Sequence, residues 1–260
     1  MRIVLKIGGV ALENQETLVA CVRAVKSLVE DGHQVIVVHG GGSALTRTLK
    51  KMGKQSEFID GLRVTDAETR DVALMVLSGL MNKALVAALT KANVHAIGLS
   101  GGDGPVFRAR KRKSGPDLGF VGDICSVDTT WLQAIWNAGG VPVVSSIALG
   151  TDGEYYNVNA DQMAAACAVA CHAQTLIFLT EVAGVLDSAG MPIRHLDPKG
   201  IQSLIQTSVI TGGMLPKMEA CQSALHGGVG RVRIFPAESA AQLADFYMKK
   251  IDLGTEVSAA

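Results

Sequence analysis

The chain has 260 residues and a formal net charge of zero, because its 24 basic side chains balance its 24 acidic ones. Hydrophobic residues make up 48% of the sequence, so a chain of this length can bury a substantial core as one large α/β domain. The balanced charge disfavours a nucleic-acid partner and a charged membrane surface. No apolar run reaches the roughly 18–20 residues of a bilayer span, and we therefore expect no membrane partner.

Strand-like and helix-like segments alternate along the chain. β-Branched runs predict strands at residues 3–7, 34–39, 96–99, 141–145, 176–180 and 231–235. Amphipathic stretches predict helices at residues 16–30, 44–52, 67–77, 82–92, 129–137, 161–171, 198–207 and 215–226. Continuous apolar strands separated by helices are typical of a mainly parallel sheet that is covered on both faces. The predicted fold class is therefore α/β, a three-layer αβα sandwich formed by a single domain.

Two segments, residues 106–127 and 147–158, interrupt this alternation. They carry alternating polar and apolar residues with turn formers, which predicts antiparallel β-hairpins at the edge of the sheet. No Pro- or Ser-rich linker, internal repeat or low-complexity tract divides the chain.

The cysteines and the N-terminal segment bear on the compartment. The five cysteines form no CxxC pair, and two of them, Cys167 and Cys171, lie one helical turn apart in an alanine-rich run. We interpret the cysteines as small buried side chains kept reduced, rather than as a metal or redox site. Residues 1–6 are too short, and too soon interrupted by charge, for a signal peptide. These features predict a cytoplasmic protein.

Glycine-rich turns follow four of the predicted strands, at residues 8–9, 40–42, 101–104 and 184. In an open parallel sheet, ligands bind beyond the carboxyl ends of the strands. Glycine lets backbone N–H groups approach such a ligand, so several turns of this kind at one edge predict an anion-binding crevice. The sequence contains neither GxxxxGK[ST] nor a GxGxxG that opens a helix, which disfavours a P-loop NTPase and an ordinary dinucleotide-binding enzyme.

Two lysines stand out against their surroundings. Lys6 lies near the end of an otherwise apolar strand, where a charge is unfavourable unless it reaches a partner. Lys217 opens a predicted helix, where the helix dipole disfavours a cation unless an anion lies beside it. A bound phosphate would explain both positions, and a lysine at the sheet's edge and a surface lysine are the alternatives.

Two further segments carry polar side chains that helix capping does not fully explain. In residues 155–161, Asn157, Asn159 and Asp161 alternate, so an extended chain would point all three to one side, although Asn159 or Asp161 can also cap the next helix. In residues 60–66 the last two positions suit a helix cap, which leaves Arg63. Its planar guanidinium suits a bidentate contact with a carboxylate, and a surface salt bridge is the alternative.

These motifs, in this order, resemble those of the N-acetylglutamate kinases of the amino-acid kinase family. The resemblance covers essentially the whole chain, through Lys-Ile-Gly-Gly at residues 6–9, His-Gly-Gly-Gly at 39–42, Gly-Leu-Arg-Val-Thr at 61–65, Leu-Gly-Phe-Val-Gly at 118–122, Asn-Val-Asn-Ala-Asp at 157–161 and Lys217. The motifs at 61–65 and 157–161 are the discriminating ones. The resemblance implies ATP-dependent phosphorylation of the γ-carboxylate of N-acetyl-L-glutamate in arginine biosynthesis, with the β-hairpins on the substrate side.

The resemblance also implies residue roles. Lys6 and Lys217 would neutralise charge on the transferring phosphoryl group, and Asp161 would hold both lysines in position. The substrate would be bound by Gly41, Gly42, Arg63 and Asn157, with Arg63 gripping its α-carboxylate. ATP, with Mg²⁺ bridging its phosphates, would contact Gly8, Gly9, Glu181, Val182, Ala183, Gly184, Val185, Leu186, Val209, Ile210 and Thr211. Residues 1–173 would form a substrate-binding lobe and residues 174–260 an ATP-binding lobe.

The chemistry itself places limited demands on the protein. A glutamate-type carboxylate has a pKa of about 4.3, so it is already an ionised nucleophile at pH 7 and needs no general base. The reaction does require alignment of two anions and stabilisation of the phosphoryl oxygens. Two lysines and Mg²⁺ meet that requirement.

Two features depart from the family's pattern. Glu181 stands where the family usually has Asp in its nucleotide loop, and its extra methylene is expected to shift the nucleotide contact. The sequence begins almost directly at the first strand, without the N-terminal helix of arginine-inhibited hexameric members. We therefore expect a homodimer without arginine feedback.

Three other functions stay open. The basic run at residues 108–113 would suit a kinase for carrier-bound aminoadipate or glutamate, because an acidic carrier would bind it, although a solvated hairpin that overhangs the substrate pocket is the simpler interpretation. N-succinylglutamate is a second alternative, since it differs from N-acetylglutamate only beyond the amide. A non-catalytic amino-acid sensor is the third, and it would have no need for Lys6, Asp161 and Lys217 together.

Overall fold

The computed structural model describes residues 1–243 and 253–258 of the chain. Its main sheet contains the six predicted strands, β1 (Arg2–Ile7), β2 (Gln34–His39), β5 (Ala96–Leu99), β8 (Val141–Ser145), β11 (Thr175–Thr180) and β13 (Arg231–Pro236), and two short ones, β12 (His195–Leu196) and β14 (Thr255–Val257). Their order is β12-β14-β13-β11-β1-β2-β8-β5. The six predicted strands run parallel to their neighbours, and β14 runs antiparallel to β13.

Helices cover both faces of this sheet, as the sequence predicts. They are α1 (Gly9–Glu13), α2 (Gln15–Glu30), α3 (Gly42–Lys51), α4 (Ala67–Ala73), α5 (Asn82–Lys91), α6 (Thr130–Asn137), α7 (Ala160–Ala170), α8 (Pro198–Gln206) and α9 (Met214–His226), with a 3-10 helix at Ala237–Gln242. One core cluster joins the sheet to α6, α7, α8 and α9, and another joins its opposite face to α2 and α5. The three-layer αβα sandwich is therefore confirmed.

The two predicted hairpins form, but not as extensions of the main sheet's edge. They are β6 (Phe107–Lys111) with β7 (Gly122–Val127), and β9 (Ile147–Gly150) with β10 (Tyr155–Asn157). A parallel pairing of β6 with β9 joins them into a separate four-stranded sheet. This sheet packs on the same face as α7, because its inward side chains, Phe107, Ala109 and Tyr156, belong to the core cluster of that face. A further small hairpin, β3 (Phe58–Ile59) with β4 (Leu62–Arg63), was not predicted.

The predicted break between helices 67–77 and 82–92 is wrong. A π-helical segment, Leu74–Met81, joins α4 to α5, so that Ala67–Lys91 is one continuous helix. Ser78 and Gly79 do not end it, because Leu77, Met81 and Asn82 around them are buried against the protein. By length and composition alone this helix could cross a membrane, with a hydropathy of 1.9 over its apolar window. A core helix passes the same test, and 44% of that window is buried inside the protein.

The loop that carries Arg63 is tied to the hairpin segment through Thr65, which is fully buried. The Thr65 N–H donates to the Leu118 carbonyl at 2.9 Å, and the Phe120 N–H donates to the Thr65 carbonyl at 2.6 Å. Gly119 lies between these two residues with a φ of +73°, and a Cβ there would sit 2.3 Å from the Thr65 carbonyl oxygen. This close crossing therefore requires glycine at position 119.

We expect Gly119→Ala to lower the free energy of unfolding by about 3 kcal/mol, because it adds a clash with Thr65 to the strain of a positive φ. Gly115→Ala is the matched control, since Gly115 has a φ of +80° and nothing lies within 4 Å of its Cβ position. Gly115→Ala should lower the free energy of unfolding by only about 1 kcal/mol. Urea unfolding of both variants measures the difference, and equal losses would contradict the importance of the crossing.

Candidate active site

Asp161 lies between the two lysines that the sequence singles out. Lys6, near the end of β1, places its Nζ 2.9 Å from Asp161 Oδ1. Lys217, in the first turn of α9, donates to Asp161 Oδ2 at 2.8 Å. Asp161 itself lies in the first turn of α7, so a single carboxylate joins one strand and the beginnings of two helices. The conflict between Lys217 and the helix dipole is thus relieved by a carboxylate of this chain.

These three charges are held largely out of water. The exposed fractions of the Lys6, Asp161 and Lys217 side chains are 12%, 9% and 8%. Burial alone would raise the pKa of the Asp161 carboxyl, but the charges of Lys6 and Lys217 outweigh it and lower that pKa to about 2. Burial lowers the pKa of the Lys217 ammonium, and Asp161 opposes this shift. Two ammonium groups and one carboxylate leave a net positive charge that suits a further anion.

The alternating residues Asn157, Asn159 and Asp161 do not form the single polar stripe predicted, because the chain turns into α7 at Ala160. Asn159 is the N-cap of α7, and its Oδ1 accepts from the Asp161 N–H at 2.9 Å and from the Gln162 N–H at 3.2 Å. Asn157 instead donates to Thr65 Oγ1 at 3.3 Å. Capping by Asn159 leaves the Asp161 carboxylate free to pair with the lysines.

Arg63 is buried, with an exposed fraction of 6%, and burial lowers its pKa. Its guanidinium donates to the Gly42 carbonyl at 2.9 Å, to Thr46 Oγ1 at 2.8 Å and to Ser56 Oγ, and lies 4.6 Å from the ring centroid of Phe58. Three of its five N–H groups are thus used, and two remain. Among the described residues no carboxylate pairs with it, so the alternative of a surface salt bridge is wrong. A buried guanidinium without an anion is unfavourable, and a bound carboxylate would relieve it.

A cavity of about 150 Å³ lies against Arg63, and we call it the acceptor cavity. All four residues predicted to bind the substrate line it, namely Gly41, Gly42, Arg63 and Asn157. Arg63 is the single charged side chain among its lining residues, the others being glycine, apolar, Ser or Asn. The cavity therefore suits a small, mainly apolar molecule that carries a carboxylate at one end.

A second cavity of about 250 Å³, the phosphate cavity, adjoins the first at Gly42. It is lined by Lys6, Gly8, Gly9, Gly42 and Glu181, among others, so the lysine, both glycine turns and the predicted nucleotide loop meet here. A Cβ on Gly9 would lie 2.9 Å from the Cα of Gly41, which shows how closely the two turns approach. Backbone N–H groups and an ammonium around an open space can hold phosphate oxygens.

The other residues predicted at the nucleotide do not share one environment. Glu181, Val182, Ala183, Leu186 and Thr211 are exposed, Gly184, Val185 and Ile210 are buried, and Val209 is half-buried. Val185 and Ile210 pack in the same core cluster. Their side chains therefore serve packing, and their N–H groups already donate within the protein, Val185 to Thr255 Oγ1 and Ile210 to the Leu204 carbonyl oxygen.

Sequence reasoning missed the residues that support the glycine turn at 40–42. His39 and Asn82 are fully buried and contact each other at 3.1 Å between Nε2 and Nδ2. Burial lowers the pKa of His39 to about 4, so its imidazole is neutral at pH 7. Asn82 could have been found as a polar residue within a strongly apolar helical run. Nothing in the sequence indicates its contact with His39, which lies 43 positions earlier in the chain.

Comparison with known proteins shows the family of the chain. Residues 1–236 match the amino acid kinase family. The chain is 63% identical over 259 residues to an acetylglutamate kinase of Acidobacterium capsulatum, with 100% of each chain covered. It is 54% identical to an acetylglutamate kinase of Koribacter versatilis, with 100% of this chain and 99% of that one covered.

Similarity extends to solved structures. A crystal structure from Streptococcus mutans UA159 is 29% identical and superposes with a TM-score of 0.85, covering 100% of this chain and 99% of that one. The resemblance that the motifs predicted is therefore confirmed, and the chain belongs to the amino acid kinase family.

Proposed function

We propose that this protein transfers the γ-phosphoryl group of ATP to the γ-carboxylate of N-acetyl-L-glutamate, an early step of arginine biosynthesis. The observation that carries the proposal is the buried, unpaired guanidinium of Arg63 at one wall of the acceptor cavity, next to a phosphate cavity that contains Lys6. A substrate with two carboxylates fits this pair of sites, one carboxylate on Arg63 and the other directed at the phosphate cavity. The two curated relatives, both acetylglutamate kinases, support the same reaction.

In this proposal Arg63 binds the α-carboxylate through its two free N–H groups. The amide of Asn157 and the N–H groups of Gly41 and Gly42 hold the rest of the acceptor. The γ-carboxylate is already ionised at pH 7, so its oxygen attacks the γ-phosphorus of ATP directly, and the bond from that phosphorus to the ADP oxygen breaks. The protein's contribution is alignment of the two reactants, with no proton to remove.

Negative charge spreads over the phosphoryl oxygens during transfer, and Lys6 and Lys217 stabilise it. Asp161 is a positioning residue in this scheme, because it holds both ammonium groups without touching the phosphoryl group. Mg²⁺, carried by the ATP phosphates, would supply further charge neutralisation. No group of three or more His, Cys, Asp or Glu side chains suited to a metal ion occurs in residues 1–243 and 253–258, so the phosphates are its proposed ligands.

The nucleotide side, the assembly and the compartment complete the proposal. In this proposal ATP lies along Gly8, Gly9, residues 181–186 and residues 209–211. Residues 1–173 form the acceptor lobe, apart from the turn at residues 8–9, and residues 174–260 form the nucleotide lobe. A homodimer is supported by exposed apolar side chains at Met75, Leu80, Ile97 and Trp131, and by β5, the terminal strand of the main sheet.

The five free cysteines, four of them buried, support a reducing cytoplasm.

The lining of the acceptor cavity favours an acetyl group over the alternatives. A succinyl group would add a carboxylate, and among the described residues Arg63 is the only cation that lines the cavity. A carrier-bound substrate is disfavoured by the small volume of about 150 Å³. In the basic run that motivated a carrier, Lys111 and Arg112 already pair with Asp117 and Asp123. A sensor would not require the paired lysines around Asp161.

The direct test is ADP release from Mg-ATP with N-acetylglutamate, glutamate, aspartate, carbamate and N-succinylglutamate, with hydroxylamine present to trap an acyl phosphate. Turnover and a hydroxamate with N-acetylglutamate are expected. Preference for another compound in this set would overturn the assignment of the acceptor. No ADP release with any of the five compounds would favour a carrier-bound substrate or a sensor.

We expect Lys217→Ala to lower kcat by about 10²–10³-fold, because its ammonium stabilises charge that develops only during transfer. The KM for N-acetylglutamate should change only a few-fold. Steady-state kinetics measures both, and Glu219→Ala, an exposed change two positions along the same helix, is the control that should leave both unchanged. A large rise in KM with kcat retained would place Lys217 in ground-state binding.

We expect Arg63→Ala to raise the KM for N-acetylglutamate about 30-fold or more, because hydrogen bonds to the α-carboxylate are lost. Arg63→Lys should show a KM for N-acetylglutamate nearly as high as that of Arg63→Ala, since an ammonium lacks the planar fork of a guanidinium. The KM for ATP should stay within about twofold. Arg110→Ala, on the exposed part of β6, is the control, and an unchanged acceptor KM in Arg63→Ala would remove Arg63 from the site.

A further inference from the structure

His39, the last residue of β2, is fully buried directly before the glycine turn at 40–42. Its Nδ1 lies 2.9 Å from the Gly40 carbonyl oxygen, and its Nε2 lies 3.1 Å from Nδ2 of Asn82. Both ring nitrogens are therefore engaged, one by the turn itself and the other by the long helix. The mechanism proposed above gives neither His39 nor Asn82 a role.

The partners determine which ring nitrogen carries the proton. Asn82 Nδ2 lies 2.9 Å from the Val143 carbonyl oxygen, and Oδ1 lies 3.1 Å from Nζ of Lys83. A carbonyl requires a donor and an ammonium requires an acceptor, so the amide orientation of Asn82 is fixed by its surroundings. The two hydrogens of the Asn82 NH₂ group are assigned to its two shortest contacts, the Val143 carbonyl oxygen and His39 Nε2, because the Leu99 carbonyl oxygen is farther away at 3.4 Å. The proton of the neutral imidazole must then be on Nδ1, where it donates to the Gly40 carbonyl.

The π-helical segment places several side chains against this turn at once. A Cβ on Gly41 would lie 2.6 Å from Cδ2 of Leu77 and 3.2 Å from Cγ of Met81, so both side chains pack closely against the glycine. Asn82 follows the segment directly. A Cβ on Gly98, in β5, would lie 2.0 Å from Asn82 Oδ1, so the Asn82 side chain is itself tightly packed. The turn is thus fixed sterically by the segment and by hydrogen bonding through Asn82. π-Helical insertions are frequent at functional sites.

We propose that Asn82 and His39 act as positioning residues, which fix the Gly40 carbonyl so that the N–H of Gly41 is presented to the acceptor. The proposal rests on the substrate-binding role proposed above for Gly41 and Gly42. In a trans peptide the carbonyl of one residue and the N–H of the next point in opposite directions, and no peptide bond described here is cis. Holding the Gly40 carbonyl against the imidazole therefore turns the Gly41 N–H away from His39. Gly41 lines the acceptor cavity.

The kinetic test uses two variants that preserve volume, His39→Phe, which removes the ring N–H, and Asn82→Leu, which removes the donor to the ring. Each should raise the KM for N-acetylglutamate at least tenfold and leave the KM for ATP within twofold. The KM for N-acetylglutamate of the double variant should be no higher than that of the more affected single variant, because both changes release the same carbonyl. Additive effects, or equal effects on both KM values, would overturn the proposal.

Leu85→Ala is the matched control for lost stability. Leu85 is buried on the same helix, in the core cluster beneath the sheet rather than at the glycine turn. Its replacement should lower Tm and leave the KM for N-acetylglutamate unchanged. A rise in acceptor KM in this control similar to that in Asn82→Leu would overturn the proposal, because general loosening would then explain both.

A spectroscopic readout on the wild-type protein needs no variant to fold. Long-range ¹H–¹⁵N correlation spectra of the histidine rings should show His39 neutral at pH 7 with its proton on Nδ1. A proton on Nε2 would overturn the inference, even if N-acetylglutamate proves to be the acceptor. Conversely, a different acceptor in the panel assay with Nδ1 protonated would overturn the proposed substrate and leave the hydrogen-bonding geometry standing.

Discussion

The site depends on one buried carboxylate between two ammonium groups. Asp161 joins β1 through Lys6 and α9 through Lys217, at 2.9 and 2.8 Å. Removing Asp161 would leave two buried ammonium groups uncompensated, and the loss of such a partner costs about 3–5 kcal/mol in comparable cases. The same arrangement leaves a net positive charge beside the phosphate cavity, which Lys6 lines. In the proposed reaction, the interaction that holds the parts of the site together therefore also provides the positive charge that stabilises the phosphoryl group.

The rest of the structure places the acceptor cavity beside that charge. The parallel sheet delivers two glycine turns to one edge, where Gly9 and Gly41 nearly touch. The Thr65 crossing brings Arg63 from outside the sheet to the wall of the acceptor cavity. Arg63 is buried, and no carboxylate of residues 1–243 or 253–258 pairs with it, so a bound carboxylate would offset the cost of its desolvation. Substrate binding and phosphoryl stabilisation are thus assigned to separate cations, and separate substitutions can test them.

The sequence predicted these features wherever a single residue conflicted with its local surroundings. Lys6 in an apolar strand and Lys217 at a helix start were such conflicts, and their common partner Asp161 is where the structure resolves them. Local reasoning failed where the decisive contact was distant or the element very short. The apparent break near Gly79 is a π-helical segment held by burial, and the contact of Asn82 with His39 leaves no periodic signal. β12 and β14, with two and three residues, are too short for a pattern.

The most direct measurement is the turnover of Asp161→Asn at saturating ATP and N-acetylglutamate, at a temperature where circular dichroism shows the variant folded. The amide keeps the shape of the side chain and removes the charge that holds Lys6 and Lys217. If the carboxylate positions both ammonium groups for transfer, kcat should fall by about 10²-fold or more while both KM values change only a few-fold. A folded variant that turns over within threefold of the wild type would contradict the central role of this buried charge cluster.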